Sequence, residues 1–228
     1  MRIVLQRLFP FFLILVLLFP FIFIGKGEIL ILVNHLRTPF LDALFTKASS
    51  LGNAITVAFA VLLVLRFKLK WLAVFLLAFA FQVSLVLLFK KGFYAGELRP
   101  YLYFYRSGLG DMIHLVEGVK IRYVNSFPSG HTATIFFLVS FFALLSRNQT
   151  ASWILMVLGL MVGTSRIYLV QHFYIDVYFG ILFGTASSTL AYLIVRKFPK
   201  KWHTKQLHVN LRQVQQTTQN AFRQLFNG

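Results

Sequence analysis

The chain has 228 residues, enough for one domain; 58% are hydrophobic and 17% aromatic, with 27 Phe. Apolar content on this scale, gathered in long runs, excludes an ordinary soluble core and points to membrane spans, so the formal net charge of +17 reads as basic flanks meeting lipid head groups and not as a nucleic-acid surface. The absence of cysteine excludes a disulfide framework and a thiolate metal site.

Six apolar segments succeed one another. The first runs from about Leu8 to Ile24 behind Arg2 and Arg7. Ile24-Gly25-Lys26-Gly27 has no Ala-x-Ala cleavage site, so an uncleaved anchor is expected. Glu28 to Ser50 intersperses apolar residues with Asn34, His35, Arg37 and Asp42. It is expected to lie along the bilayer surface, with a helix starting at Thr38-Pro39. The second span is Ile55 to Phe67, closed by the basic turn Lys68-Leu69-Lys70. The third is Trp71 to Phe89, ending at Lys90-Lys91. A polar loop, Gly92 to Phe127, leads to the fourth span, which opens at Pro128-Ser129-Gly130-His131 and ends near Ser146. The fifth is Trp153 to Thr164 and the sixth Phe173 to Val195, closed by Arg196-Lys197-Phe198-Pro199-Lys200-Lys201. The expected fold is all-α: a polytopic membrane bundle of six transmembrane helices over residues 1–202. The polar tail, 203–228, reads as an interfacial helix or a disordered segment.

Six spans return the C-terminus to the side of the N-terminus. The basic turns and the Arg196–Lys201 cluster share that side with Arg2 and Arg7, which makes both termini cytoplasmic. Lys91, Arg99, His131, Arg166, His172 and Asp176 then all fall at the outer ends of spans three to six. Residues from four segments meeting at one depth are how a helix bundle builds a site.

The residue types suit phosphoryl transfer. Arg99 and Arg166 carry planar guanidinium forks that match phosphate oxygens, and Lys91 adds a point charge. Ser129 and Gly130 open a helix, whose N-terminal amides favour an anion. His172 and Asp176 are four apart and share a helix face, so the carboxylate can hold one imidazole nitrogen and leave the other to attack. His131 beside the cradle can protonate the leaving oxygen. A metal held by His131, His172 and Asp176 is the chemical rival, but a surround of Lys and Arg repels a divalent ion, so no metal and no cofactor are expected.

Pro128-Ser129-Gly130-His131 and Ser165-Arg166-x5-His172-x3-Asp176 resemble two of the three signature motifs of the type 2 phosphatidic acid phosphatase superfamily. The first motif, Lys-x6-Arg-Pro, departs. Seven residues separate Lys91 from Arg99-Pro100, and Gly92 holds the usual lysine position. A one-residue bulge would restore the reach of Lys91, with Lys90 as the alternative. The resemblance implies a phosphohistidine intermediate on His172, His131 as acid, and Lys91, Arg99, Ser129, Gly130 and Arg166 as phosphate ligands. It implies a metal-independent membrane lipid phosphatase acting on a lipid phosphate; the topology puts the site at the outer face, and the small size and minimal loops point to a bacterial inner membrane. Undecaprenyl diphosphate or lipid A is favoured over phosphatidylglycerol phosphate or phosphatidate. A lipid phosphotransferase using the same intermediate, or a non-catalytic lipid-phosphate binding or transport protein, is the alternative. The sequence does not set the oligomeric state.

Overall fold

The computed structural model describes residues 2–146 and 148–206. Those residues are helical and contain no strand, only two isolated bridges, Lys68 with Gln206 and Leu98 with Val124. The principal helices are α1 (Arg2–Leu18), α2 (Glu28–His35), α3 (Pro39–Ser50), α4 (Ala54–Val64), α5 (Leu69–Leu87), α6 (Pro100–Arg106), α7 (Gly130–Leu145), α8 (Gln149–Tyr168) and α9 (Tyr174–Lys197). The tail beyond 206 lies outside the described residues.

Four helical stretches are long and apolar enough to cross a membrane: Ile3–Phe23, Leu69–Phe93, Gln149–Tyr168 and Tyr174–Lys197. Glu28–Ser50, expected to lie along the bilayer surface, forms the two helices α2 and α3, both packed against α8. Asn34 is fully buried; its amide group donates to the Tyr168 and His114 carbonyls and accepts from the His114 amide. Arg37 and Asp42 pair with each other at 3.0 Å. Asn34 and Ser49 are buried, while Arg37, Thr38 and Phe40 stay exposed. α4 has only 11 residues, roughly 16 Å of helix and too short to cross alone. It joins α3 at a 55° bend, and the two together have the length and apolarity of one broken crossing or re-entrant loop. Thr38 caps α3 by accepting from the Leu41 amide with Pro39 in the first turn, as the sequence pattern predicts, and Asn53 caps α4.

The centre of the bundle is α7, with Ile135 to Phe141 buried without interruption. A helix buried on every side needs small neighbours. α9 provides them with Gly180 and Gly184, one turn apart. A Cβ at Gly184 would lie 2.5 Å from the Ala133 carbonyl oxygen, and one at Gly180 would lie 2.9 Å from the Ser129 carbonyl oxygen. Without those side chains the two backbones approach closely, as small-residue seams allow in membranes. The Ser129 amide donates to the Asp176 carbonyl at 2.9 Å, so the seam also ties the start of α7 to the start of α9. α1 closes the bundle with Leu8 and Phe11, Phe11 edge-on to Phe136.

Candidate active site

Every candidate residue lies at one end of the bundle. Lys90 and Lys91 come just after the last turn of α5; Arg99 precedes α6; Ser129, Gly130 and His131 open α7; Arg166 is in the last turn of α8; His172 is in the short α8–α9 connection; Asp176 is in the first turn of α9. α8 runs past the expected end of the fifth span, so Ser165 and Arg166 are helical, with the cation where a helix C-terminus favours it.

Three groups donate to Asp176 Oδ2: the Ser126 hydroxyl at 2.5 Å, the Phe173 amide at 2.9 Å and His172 Nδ1 at 3.3 Å. The other imidazole nitrogen, Nε2, lies 3.3 Å from Arg99 Nη1. A guanidinium has only protons to offer, so Nε2 must be the unprotonated nitrogen and Nδ1 must carry the hydrogen. The tautomer is thereby set from both sides. His172 is 1% exposed. Burial first, then the charges of Arg99, Arg166, Lys90 and His131, holds its pKa well below the ordinary 6.5 and keeps the ring neutral.

Arg99 is anchored by backbone oxygens: Nε donates to Val124 at 3.0 Å, Nη1 to Gln171 at 3.0 Å and Nη2 to Asn125 at 3.3 Å. Burial, and next the exposed Arg122 guanidinium, lowers its pKa to about 10, so it remains a cation at neutral pH. Arg166 donates to Ser49 Oγ on α3 and, at 3.4 Å, to Gln171 Oε1, while its buried Nε has no partner. The α8–α9 connection is held by Arg166 itself, whose carbonyl accepts from the Gln171 amide at 2.9 Å and the His172 amide at 3.1 Å. The reversal needs a left-handed residue, Val170 at φ 57°, an uncommon and costly state for a β-branched side chain.

The lysine assignment changes. Residues Leu88–Phe93 form a π-helical turn, closed by the Tyr94 amide on the Phe89 carbonyl at 2.8 Å. A π-turn takes up an extra residue and rotates the succeeding residues around the helix. The lysine it turns into the site is Lys90, which donates to the Asn125 carbonyl at 2.8 Å and to that of Ser126 at 3.3 Å, while Lys91 is exposed. The bulge is at the helix end, not in the loop, and spans one more residue.

Ser129 is also more occupied than its motif suggests. Its amide is taken by Asp176, and its hydroxyl pairs with Thr132 Oγ1 at 2.9 Å and accepts from the Thr132 amide at 3.4 Å. The first-turn amides of Gly130 and His131 have no intrahelical acceptor and remain for an anion. His131 packs against the α3–α4 elbow, where a Cβ at Gly52 would be 2.8 Å from its Cβ and its carbonyl oxygen. A cleft of about 530 Å³ opens between α4 and α5, with Gly130 and His131 among its lining residues.

Sequence reasoning missed Ser126, Ser49, Gln171 and Arg122. Ser126 and Gln171 each adjoin a motif in sequence, and that proximity was the available signal. Ser49 and Arg122 carry none.

A sequence model described as the PAP2 superfamily matches residues 69–200, more than half of the chain and all three motif regions. The crystal structure of Aquifex aeolicus LpxE superposes with a TM-score of 0.62 at 27% identity, covering 73% of this chain and 93% of that one. The bacitracin transport permease protein BcrC of Bacillus licheniformis is 40% identical over 68 residues, which are 30% of this chain and 32% of that protein. The match to that relative therefore spans about a third of its length. With motif regions, helical architecture and a solved relative in agreement, this multi-pass membrane protein belongs to the PAP2 superfamily.

Proposed function

We propose that the chain is a membrane lipid phosphatase that hydrolyses a phosphomonoester or diphosphate through a phosphohistidine on His172. The observation that carries this reading is the opposed pair of contacts on one imidazole, Asp176 on Nδ1 and Arg99 on Nε2. A phosphate oxygen that takes the Arg99 proton donor uncovers the Nε2 lone pair directly opposite phosphorus. Nε2 then bonds to phosphorus as the P–O bond to the lipid breaks, and Asp176 offsets the positive charge that the ring acquires. His131 delivers a proton to the leaving oxygen. A bound phosphate brings negative charge beside His131 and favours its protonated form. In the second half, His131 takes a proton from water, the water oxygen bonds to phosphorus, and the P–N bond breaks to return neutral His172 and inorganic phosphate.

Arg99, Arg166 and Lys90 are the side-chain cations of the cradle, with the Gly130 and His131 amides at its helix end. Ser129 serves as the cap that aims those amides. The unpartnered Nε of Arg166 is a donor in want of an acceptor, which a phosphate oxygen supplies. A single carboxylate among three cations suits metal-independent chemistry.

The membrane reading is six crossings, counting the bent α3–α4 pair and the 16-residue α7. Both termini are then cytoplasmic, and the site faces the outer side of a bacterial inner membrane. Undecaprenyl diphosphate and lipid A present phosphate there. One relative is named a transport permease, so a lipid-phosphate binding or transport protein is the second reading. Phosphate release from these lipids by detergent-solubilised protein, with His172→Ala as control, separates the two. Equal release by both proteins contradicts the enzyme reading. Activity that survives a chelator supports metal independence, and activity lost in chelator and restored by a divalent ion contradicts it.

A further inference from the structure

Among the residues lining the cleft beside His131, Gln82 has a buried polar atom without a partner. Gln82 lies on α5 eight residues before Lys90, a separation of roughly 12 Å along the helix. It lines the cleft, is 3% exposed, and its carboxamide oxygen has no hydrogen-bond partner. Ala54, Val57, Ala58, Phe79 and Val83 line the same cleft and offer it none, and the Thr134 hydroxyl, also in the lining, does not bond it. Gln82 stands near the middle of the Leu69–Phe93 crossing, where water is scarce and an unpaired amide is expensive. A leucine or methionine would fill a similar volume at no such cost, so the amide is explained by a partner that arrives with the ligand.

We propose that Gln82 is a specificity-determining residue that hydrogen-bonds a hydroxyl or secondary amide on the chain of the bound lipid. The cleft thereby selects an acylated glycolipid phosphate over a polyprenyl phosphate. An extended covalent chain advances roughly 3.5 Å per three bonds, so roughly 12 Å from the phosphate is about ten bonds. In an acylated sugar phosphate the amide linkage lies about five bonds from phosphorus and the hydroxyl of a 3-hydroxyacyl chain about eight, so both come within that distance once the Gln82 side chain extends towards the phosphate. A polyprenyl chain has only methyl groups and double bonds there and would leave Gln82 unpaired. Val86 and Gly130 both line the cleft, and a Cβ at Gly130 would lie 4.0 Å from Val86 Cγ1, so the lipid path runs up to the phosphate cradle.

The inference rests on the phosphatase reading and is tested on the full chain in detergent. Phosphate release is measured from a 3-hydroxyacylated glucosamine 1-phosphate lipid and from a polyprenyl diphosphate, for wild type, Gln82→Leu and Gln82→Met. Wild type is expected to prefer the glycolipid. The ratio of the two kcat/KM values is expected to fall about tenfold in both variants, mainly through KM for the glycolipid. An unmoved ratio, equal losses on both lipids, a wild-type preference for the polyprenyl lipid, or loss of folded protein in both variants would overturn it, because each assigns Gln82 to the fold or to nothing. Absence of release from either lipid by wild type would remove the phosphatase reading, and this inference with it. Release with an unmoved ratio would overturn the inference alone.

Discussion

Asp176 Oδ2 collects three donors, and one of them, Ser126, lies outside the motif residues. A hydrogen bond to a charged group contributes about 1.5–3 kcal/mol, and about 1.4 kcal/mol is tenfold in rate. Ser126→Ala is therefore expected to lower kcat about tenfold with KM little changed; a loss confined to KM would show that Ser126 does not position the pair. Lys90→Met is expected to raise KM and cut kcat/KM by about a hundredfold, while Lys91→Met stays near wild type, and the reverse pattern would restore the lysine that the motif spacing favours. The depressed pKa of His172 has a definite sign. Between its folded pKa and the ordinary 6.5 the unfolded ring binds a proton that the folded ring does not. Stability contributed by the neutral ring is thus complete above 6.5 and is lost as pH falls towards the folded value. Ring titration by NMR should find His172 neutral at pH 6, and a midpoint near 6.5 would contradict its burial among cations. The motif residues were legible as sequence because phosphate chemistry needs fixed residue types at fixed spacing. Ser126 and Gln171 were not, since a serine or glutamine next to a motif looks like any polar loop residue until the fold shows what it touches.

Individual elements explain why the two reliable motifs meet. Gly180 and Gly184 let α9 lie against α7, and this seam joins the phosphate cradle at Ser129 to the Asp176 backbone. Gly184→Ala puts a methyl group 2.5 Å from the Ala133 carbonyl oxygen, closer than such contacts allow. Overpacking of this kind costs about 1–3 kcal/mol. A lower thermal midpoint in detergent, with activity lost in the surviving fraction, is expected; unchanged stability and activity would show that the helices separate freely. The long spans were legible from their apolar runs. The bent α3–α4 pair was not, and neither was the burial of Asn34 in α2, because a lone asparagine looks solvent-facing until its partners on α8 and His114 are seen. The π-turn after α5 was hidden for another reason: an inserted residue is visible as spacing, but spacing does not say which of two adjacent lysines turns inward.

At the scale of the whole molecule, the proposed topology puts a cationic site in the outer leaflet zone with the basic turns on the other side. The chain has no cysteine, so single cysteines can be introduced one at a time. Cysteine at Ser107 is expected to react with a membrane-impermeant maleimide in intact cells, and cysteine at Lys68 only after permeabilisation; the opposite pattern would invert the topology. The proposed orientation rests on the short basic turns, because charges beside spans are costly to move across a bilayer, and this labelling pattern tests it. Which lipid occupies the bundle was not, because tail recognition depends on a cleft formed by α4, α5 and α7, elements far apart in sequence.

The central claim is covalent chemistry on His172, and trapping the intermediate tests it most directly. Protein mixed with a radiolabelled lipid phosphate is quenched in alkali and digested. The expected result is an acid-labile, alkali-stable label on the peptide containing His172, absent in His172→Ala along with phosphate release. Release at the wild-type rate by His172→Ala, or a label carried elsewhere, would contradict it.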